Sequence, residues 1–266
     1  MFQFFPSRIV ALSVYGFDIH WYGLMYFFSF LIAWHLVPRL QNKRNLKLTN
    51  DDWASLLSAA VIGVIVGGRL GFVFFYQPFY FFHHPDQIFA VWNGGMASHG
   101  GFIGVTLALL YATRWRTTTA KLCIGDIAVI PVAIGLSLGR IGNFINQELY
   151  GTLTTLPWGM EFPGVVGLRH PIQIYDFLIE LCIAFICYKS LSSTPIRPGR
   201  TIAIFLVLYS FARFFLEYIR EQNGVYFVMG SVVLSQGQML TIPLLIAGIW
   251  LFSWTGKRQS LEKEWA

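Results

Sequence analysis

A chain of 266 residues could hold one or two soluble domains, but 55% of this one is apolar, 17% aromatic and only 12% charged. That leaves too little polar surface to solvate a globule of this size. The net charge of +6 would suggest a nucleic-acid partner only if the basic residues were clustered. They lie instead between apolar runs, so no nucleic-acid partner is expected and the composition points to a polytopic membrane protein.

The first eighteen residues, MFQFFPSRIVALSVYGFD, lack a basic start, an apolar core and a small-residue cleavage site. They read as an uncleaved interfacial arm over 1–18 rather than a signal peptide. Seven apolar runs follow, at about 19–38, 53–76, 97–113, 122–144, 171–188, 201–219 and 237–255, each close to the length that crosses roughly 30 Å of hydrocarbon as a helix. The fold class is therefore all-α, a single transmembrane domain over 1–266 with seven transmembrane helices. Outer loops at 77–96 and 145–170, with the N-terminal arm, are expected to form a small cap.

The basic residues give an orientation. Arg39, Lys43, Arg44 and Lys47 follow the first run, Arg114, Arg116 and Lys121 the third, Lys189, Arg197 and Arg200 the fifth, and Lys257, Arg258 and Lys263 the seventh. These all fall on one side, and only Arg8, Arg169 and Arg220 on the other. The positive-inside rule puts the N-terminus outside (periplasmic) and the C-terminus in the cytoplasm. Polar residues within or beside the runs then converge on the outer leaflet, among them Tyr22, His99, His170, Tyr175, Asp176, Gln236 and Gln238. The inner halves read as nearly featureless. A pore would need polar lining throughout and a transporter a midplane site, so this asymmetry suits an enzyme acting at lipid headgroups.

The densest stretch is Gly139 to Gly151, GRIGNFINQELYG. It sets Arg140, Asn143, Asn146, Gln147 and Glu148 among three glycines where a helix leaves the membrane. Two readings fit: a helix end whose polar groups meet backbone and headgroups, or a site, since charges at such depth are costly. In the sixth run Tyr209, Arg213, Glu217 and Arg220 share one helix face by their spacing. There Arg213 and Glu217 either neutralise each other or aim a guanidinium at an anion. Arg140 and Arg213 together would suit one phosphate. Gly68-Arg69-Leu70-Gly71 echoes the Arg140 motif, and two readings fit: a short internal repeat, or an Arg69 that simply snorkels to the outer interface. His99, in GGMASHGGFIG, is a helix-capping residue or a general base. The aromatic stretch FFYQPFYFF at 74–82 reads as a lipid-contacting belt.

Cys123, Cys182 and Cys187 show no ligand or disulfide spacing. The chain also carries no aspartate-rich metal motif, GxSxG elbow, P-loop or dinucleotide fingerprint, so metal-independent chemistry without a cofactor is expected.

These motifs, taken in order, resemble the bacterial prolipoprotein diacylglyceryl transferases: HWYGLMY at 20–26, GGRLGFVFFY at 67–76, WNGGMASHGG at 92–101, GRIGNFINQELYG at 139–151, LPWG at 156–159, RHPIQIYD at 169–176 and YSFARFFLEYIR at 209–220. The resemblance implies a multi-pass enzyme of the bacterial cytoplasmic (inner) membrane with its active site toward the periplasmic leaflet. Such an enzyme uses phosphatidylglycerol among the membrane lipids and prolipoprotein signal peptides with a lipobox cysteine, and takes neither cofactor nor metal. It assigns phosphatidylglycerol binding to Arg140, Asn143 and Gly151, and an essential role to Arg213. It gives important roles to Tyr22 and His99, and supporting ones to Glu148, Tyr209 and Glu217; Asn146 lies within the same signature. Asp176 stands where the family usually has Glu, Ile172 where it has a small hydroxyl residue, and Ser98 where it is apolar.

Overall fold

The computed structural model describes residues 10–15, 17–91, 94–221, 226–229 and 232–257. The chain is mostly helical, with helices α1 (Trp21–Leu40), α2 (Asn50–Phe75), a short α3 (Pro78–His83), α4 (Ser98–Ala112), α5 (Thr118–Asn146), α6 (Ile172–Leu191), α7 (Arg200–Leu216) and α8 (Gln236–Lys257). Every apolar run of the sequence carries one of the longer helices. By length and composition four candidates can cross a membrane: α1 with the turn after it, α2, α5 and α8. The other three miss for physical reasons. α4 has 15 residues and α7 has 17, while α6 carries Asp176, Glu180 and Lys189 along an otherwise apolar stretch. Large apolar side chains such as Phe27, Ile62, Leu107, Phe185 and Trp250 stand on helix surfaces, as they do in a multi-pass membrane protein whose helices face lipid.

Two short hairpins interrupt the helices. Strands β1 (Val10–Val14) and β2 (Phe17–His20) pair antiparallel within the N-terminal arm, and β3 (Tyr226–Met229) pairs with β4 (Val232–Ser235) just before α8. The all-α reading did not include them. β4 runs into α8 through a capping box: Ser235 Oγ accepts from the Gln238 N–H at 3.1 Å, and Gln238 Oε1 accepts from the Ser235 N–H at 3.0 Å.

The chain divides into two compact units, residues 37–121 and residues 1–36 with 122–266. In the first, α2 packs on α4 at backbone contact. Gly63, Gly67 and Gly71 of α2 face Gly100 and Gly104 of α4, and a Cβ on Gly71 would come within 2.8 Å of the Gly100 Cα. Small residues at this spacing let two apolar helices approach where water supplies no driving force between them. The same unit corrects the reading of Arg69. Its side chain does not snorkel but is buried, 5% exposed, and donates to four carbonyls: Gln87 at 2.6 Å, Ile88 at 2.8 Å, Gly94 at 2.5 Å and Gly95 at 3.2 Å. The guanidinium also lies over the Phe81 ring. It therefore ties the loop leading to α4 onto α2.

In the second unit α6 and α8 pack on α7, and the start of α1 lies against α5, where Gly142 adjoins Tyr22 and Met25. Asp126, fully buried in α5, accepts from the backbone N–H of Gly199 at 2.9 Å and of Ile202 at 3.0 Å. It satisfies orphan donors at the start of α7. The sequence reading, which saw few polar features away from the outer ends, passes over this carboxylate.

Candidate functional site

The candidate site begins where α5 ends. Gln147 takes φ 57°, a left-handed conformation usually left to glycine. With it the Gln147 N–H reaches the Phe144 carbonyl at 3.0 Å and the Glu148 N–H reaches the Asn143 carbonyl at 3.1 Å. That is a Schellman turn, and it folds the chain back on the helix. The reversal brings the Glu148 carboxylate to the Asn143 side chain, whose amide donates to it at 2.9 Å and also to the Tyr22 hydroxyl from α1. Asn143 is buried, 2% exposed. The Gln173 side chain of α6 donates to the Glu148 carbonyl at 2.6 Å and so fixes the turn from a third element. Buried oxygens of Asn146 and Gln147 have no hydrogen-bond partner among the described residues.

Beyond the turn the chain runs as an extended segment between two others. The Gly151 N–H bonds to the His170 carbonyl and the Thr152 N–H to the Ile219 carbonyl, each at 2.9 Å, and Gly151 pairs with Arg220. A Cβ on Gly151 would sit 2.6 Å from the His170 Cβ and 2.7 Å from the Ile219 oxygen, so only glycine fits this sandwich. The signature stretch is thereby tied to the far end of α7.

Six buried or half-buried charges join α5, α6 and the end of α7 in one alternating chain. Glu180 Oε1 lies 3.5 Å from Arg140 Nε, and Asp176 Oδ2 lies 3.3 Å from the same nitrogen. Asp176 Oδ2 is also 3.8 Å from Arg213 Nη1. Arg213 Nη2 meets Glu217 Oε2 at 2.7 Å, and Arg220 Nη1 is 3.8 Å from that same oxygen. Ser235 Oγ donates to Glu217 at 3.3 Å, and Gly237 at the start of α8 leaves room for this carboxylate, which a Cβ there would strike. Past the end of α7, burial and then the positive charge of Arg213 pull the Arg220 guanidinium down to about 10, against the opposing pull of Glu217.

The chain of charges has open bonding capacity. Arg213 Nη1 and Glu180 Oε2 are buried and have no hydrogen-bond partner among the described residues. A small cavity beside them is lined by Asp176, Glu180, Tyr209 and Arg213 with apolar neighbours. Unmade bonds on buried charged groups are costly, and two guanidiniums around one carboxylate oxygen are suited to an oxyanion with several acceptors.

The chain matches the family model described as prolipoprotein diacylglyceryl transferase over residues 9–254. It is also 42% identical over 256 residues to the phosphatidylglycerol–prolipoprotein diacylglyceryl transferase of Methylobacillus flagellatus, covering 94% of this chain and 95% of that one. The proteins of the same name from Geobacter sulfurreducens and Legionella pneumophila strain Lens are 40% identical over 233 residues and 39% over 251. Those alignments cover 87% and 94% of this chain, and 89% and 96% of theirs.

The chain belongs to the prolipoprotein diacylglyceryl transferase family. It is a membrane-embedded transferase, and the residues its sequence singles out can be placed on it. Within one compact unit Tyr22, Asn143 and Glu148 form one hydrogen-bonded cluster. Arg140, Arg213 and Glu217 belong to the charge chain, Tyr209 lines its cavity and Gly151 ties the two ends together. The family resemblance also singles out His99, which lies in the first turn of α4 in the other unit; its side chain is outside the described residues, as is that of Ser98. The sequence reading missed Glu180, and it took Asp176 as one of the outer-leaflet polar groups and as a departure from the family, without a partner. Their spacing of four in an apolar helix was the available signal, since it puts both acids on one face.

Proposed function

We propose that this transferase moves the diacylglyceryl group of phosphatidylglycerol onto the lipobox cysteine thiol of prolipoprotein signal peptides, at the periplasmic leaflet of the bacterial inner membrane. All seven of the longer helices span the bilayer, with the N-terminus outside and the C-terminus cytoplasmic. The observation that supports this most is the position of Asp176 Oδ2 between Arg140 and Arg213, in a chain whose relatives are named phosphatidylglycerol–prolipoprotein diacylglyceryl transferases.

In the proposed reaction the thiol loses its proton to the base and the sulfur attacks the phosphate-bearing carbon of the diacylglycerol moiety. The C–O bond breaks and its electron pair goes to the phosphate oxygen, giving a thioether and glycerol 1-phosphate. Arg140 and Arg213 hold the phosphate and stabilise the charge that gathers on it, an effect strengthened in a site that excludes water. Asn143, Asn146, Glu148 and Gly151 bind the headgroup, with Tyr209 and Glu217 in support, and Tyr22 acts in catalysis beside the arginines. A thiol with pKa about 8.5 is largely protonated at neutral pH. His99 serves as general base; the competing role is that it orients substrate while the arginine field lowers the thiol pKa.

Mass spectrometry of a synthetic lipobox peptide incubated with purified protein and phosphatidylglycerol tests the proposal. A diacylglyceryl mass gain is expected with the wild type and the thiol peptide, and none with Arg140→Ala or with a Cys→Ser peptide. Intact phosphatidylglycerol in the presence of folded wild-type protein would sink the transferase reading and leave lipid binding or transport in its place.

A further inference from the structure

Arginines at a phosphate site explain capture but create a difficulty at the other end of the reaction. The lipid substrate is a phosphodiester with one negative charge. The product the proposed reaction releases is a phosphomonoester that approaches two, because its second pKa is about 6. A clamp of bare guanidiniums would therefore hold its product more tightly than its substrate.

Carboxylates stand among these arginines. Arg140, Arg213 and Arg220 alternate with Glu180, Asp176 and Glu217, so three cations face three carboxylates. Glu217 has its own anchors in Ser235 and the end of α7. Asp176 and Glu180 differ: they come from α6, sit one turn apart, and both converge on Arg140. Asp176 alone also reaches Arg213, through the same oxygen. Their side chains are 8% and 4% exposed, so water screens them little. They border the cavity where Arg213 Nη1 and Glu180 Oε2 have no hydrogen-bond partner among the described residues.

We propose that Asp176, seconded by Glu180, is a positioning residue that sets the charge of the arginine clamp for turnover, orienting Arg140 and Arg213 while keeping the pair from retaining a dianionic product. This rests on the transferase function proposed above. Neutralising either carboxylate adds one effective positive charge to the clamp. Its attraction for a dianion is about twice that for a monoanion at the same distance, so the fold-gain in product affinity is roughly the square of that for the lipid.

The test compares wild type, Asp176→Asn, Glu180→Gln and Asp176→Glu, purified and checked for thermal unfolding. Four quantities are measured: KM for phosphatidylglycerol, kcat for transfer to a thiol peptide, and inhibition constants for glycerol 1-phosphate and for its monoanionic methyl ester. For Asp176→Asn and Glu180→Gln, KM and the methyl-ester constant are expected to fall about threefold and the glycerol 1-phosphate constant about tenfold, with a lower kcat. Asp176→Glu keeps its charge and should stay near wild type. Equal shifts for monoanion and dianion, or weaker binding of both, would overturn the proposal and leave the two acids as structural partners only. Should Asp176→Asn fail to fold, Glu180→Gln, at the end of the charge chain, carries the same prediction. Wild-type transfer in the same assay separates a failure here from a failure of the transferase reading.

Discussion

The side-chain amide of Asn143 donates to the carboxylate of Glu148 at 2.9 Å, across the turn that closes α5. The pair works because one partner only donates there and the other only accepts. Asn143→Asp would set a buried carboxylate against the exposed one of Glu148, and like charges in contact repel. Glu148→Gln still offers an oxygen to the Asn143 amide. Transfer to a lipobox peptide should therefore fall at least about a hundredfold for Asn143→Asp, a loss of about 3 kcal/mol in transition-state stabilisation, and by clearly less for Glu148→Gln. Equal losses would show that the amide–carboxylate contact is not what the site needs.

The three glycines of the signature stretch are not equivalent. A Cβ at Gly151 collides with His170 and with the Ile219 carbonyl, whereas one at Gly139 has nothing within 4 Å. Gly151→Ala is expected to cost about 1–3 kcal/mol of stability by forcing the three extended segments apart, and to abolish transfer because Arg220 pairs with this residue. Gly139→Ala, inside α5, should leave the unfolding temperature unchanged or raise it through helix propensity. Melting curves of the two variants in one detergent decide the point.

How far the sequence could be read follows from what each feature depends on. The helices were legible because an apolar run near 20 residues has one stable form in lipid, and Arg140, Arg213 and Glu217 were legible because charges in such runs stand out. Partnership was not legible: nothing in the sequence says that Asp176 reaches two arginines from another helix. Arg69 was misread for a similar reason, since its partners are loop carbonyls, which have no residue-type signature. The β3–β4 hairpin has a signal in the apolar and β-branched residues on either side of Gly230-Ser231, but it is too short to stand out beside apolar runs of spanning length.

The buried Arg69 gives a prediction for the unit that carries His99. Its planar fork holds four carbonyls of the segment before α4, and a lysine, with three donors on one nitrogen, cannot reach all of them. Arg69→Lys should destabilise that segment by about 2–3 kcal/mol and expose 84–97 to limited proteolysis, while cleavage elsewhere stays at the wild-type rate. A variant cut no faster than wild type would show that other contacts hold the loop.

Neighbouring glycines in α4 allow a test of the helix contact beneath it. A Cβ on Gly100 meets the Gly67 carbonyl and comes within 2.9 Å of the Gly71 Cα, but one on Gly101 meets nothing nearer than the Val64 oxygen at 3.8 Å. Gly101→Ala should be neutral or stabilise by up to about 1 kcal/mol through helix propensity. Gly100→Ala should lower the unfolding temperature, because backbone rather than a movable side chain stands in the way. Similar melting temperatures for the two would contradict the close α2–α4 packing.

Gln147 tests whether the turn at the end of α5 stores strain for the site. Its φ of 57° costs a non-glycine residue about 1 kcal/mol, and its side-chain oxygen is buried with no hydrogen-bond partner among the described residues. Gln147→Gly removes both costs and keeps the Schellman bonds, which use backbone only. It should therefore raise the unfolding temperature, by an amount corresponding to about 0.5–1 kcal/mol. Gln147→Val, β-branched and forced to positive φ, should lower it and disrupt the Asn143–Glu148 contact. If Gln147→Gly is more stable yet slower in transfer, the glutamine serves the substrate rather than the fold. If it is less stable, the left-handed turn is not the conformation that the chain maintains.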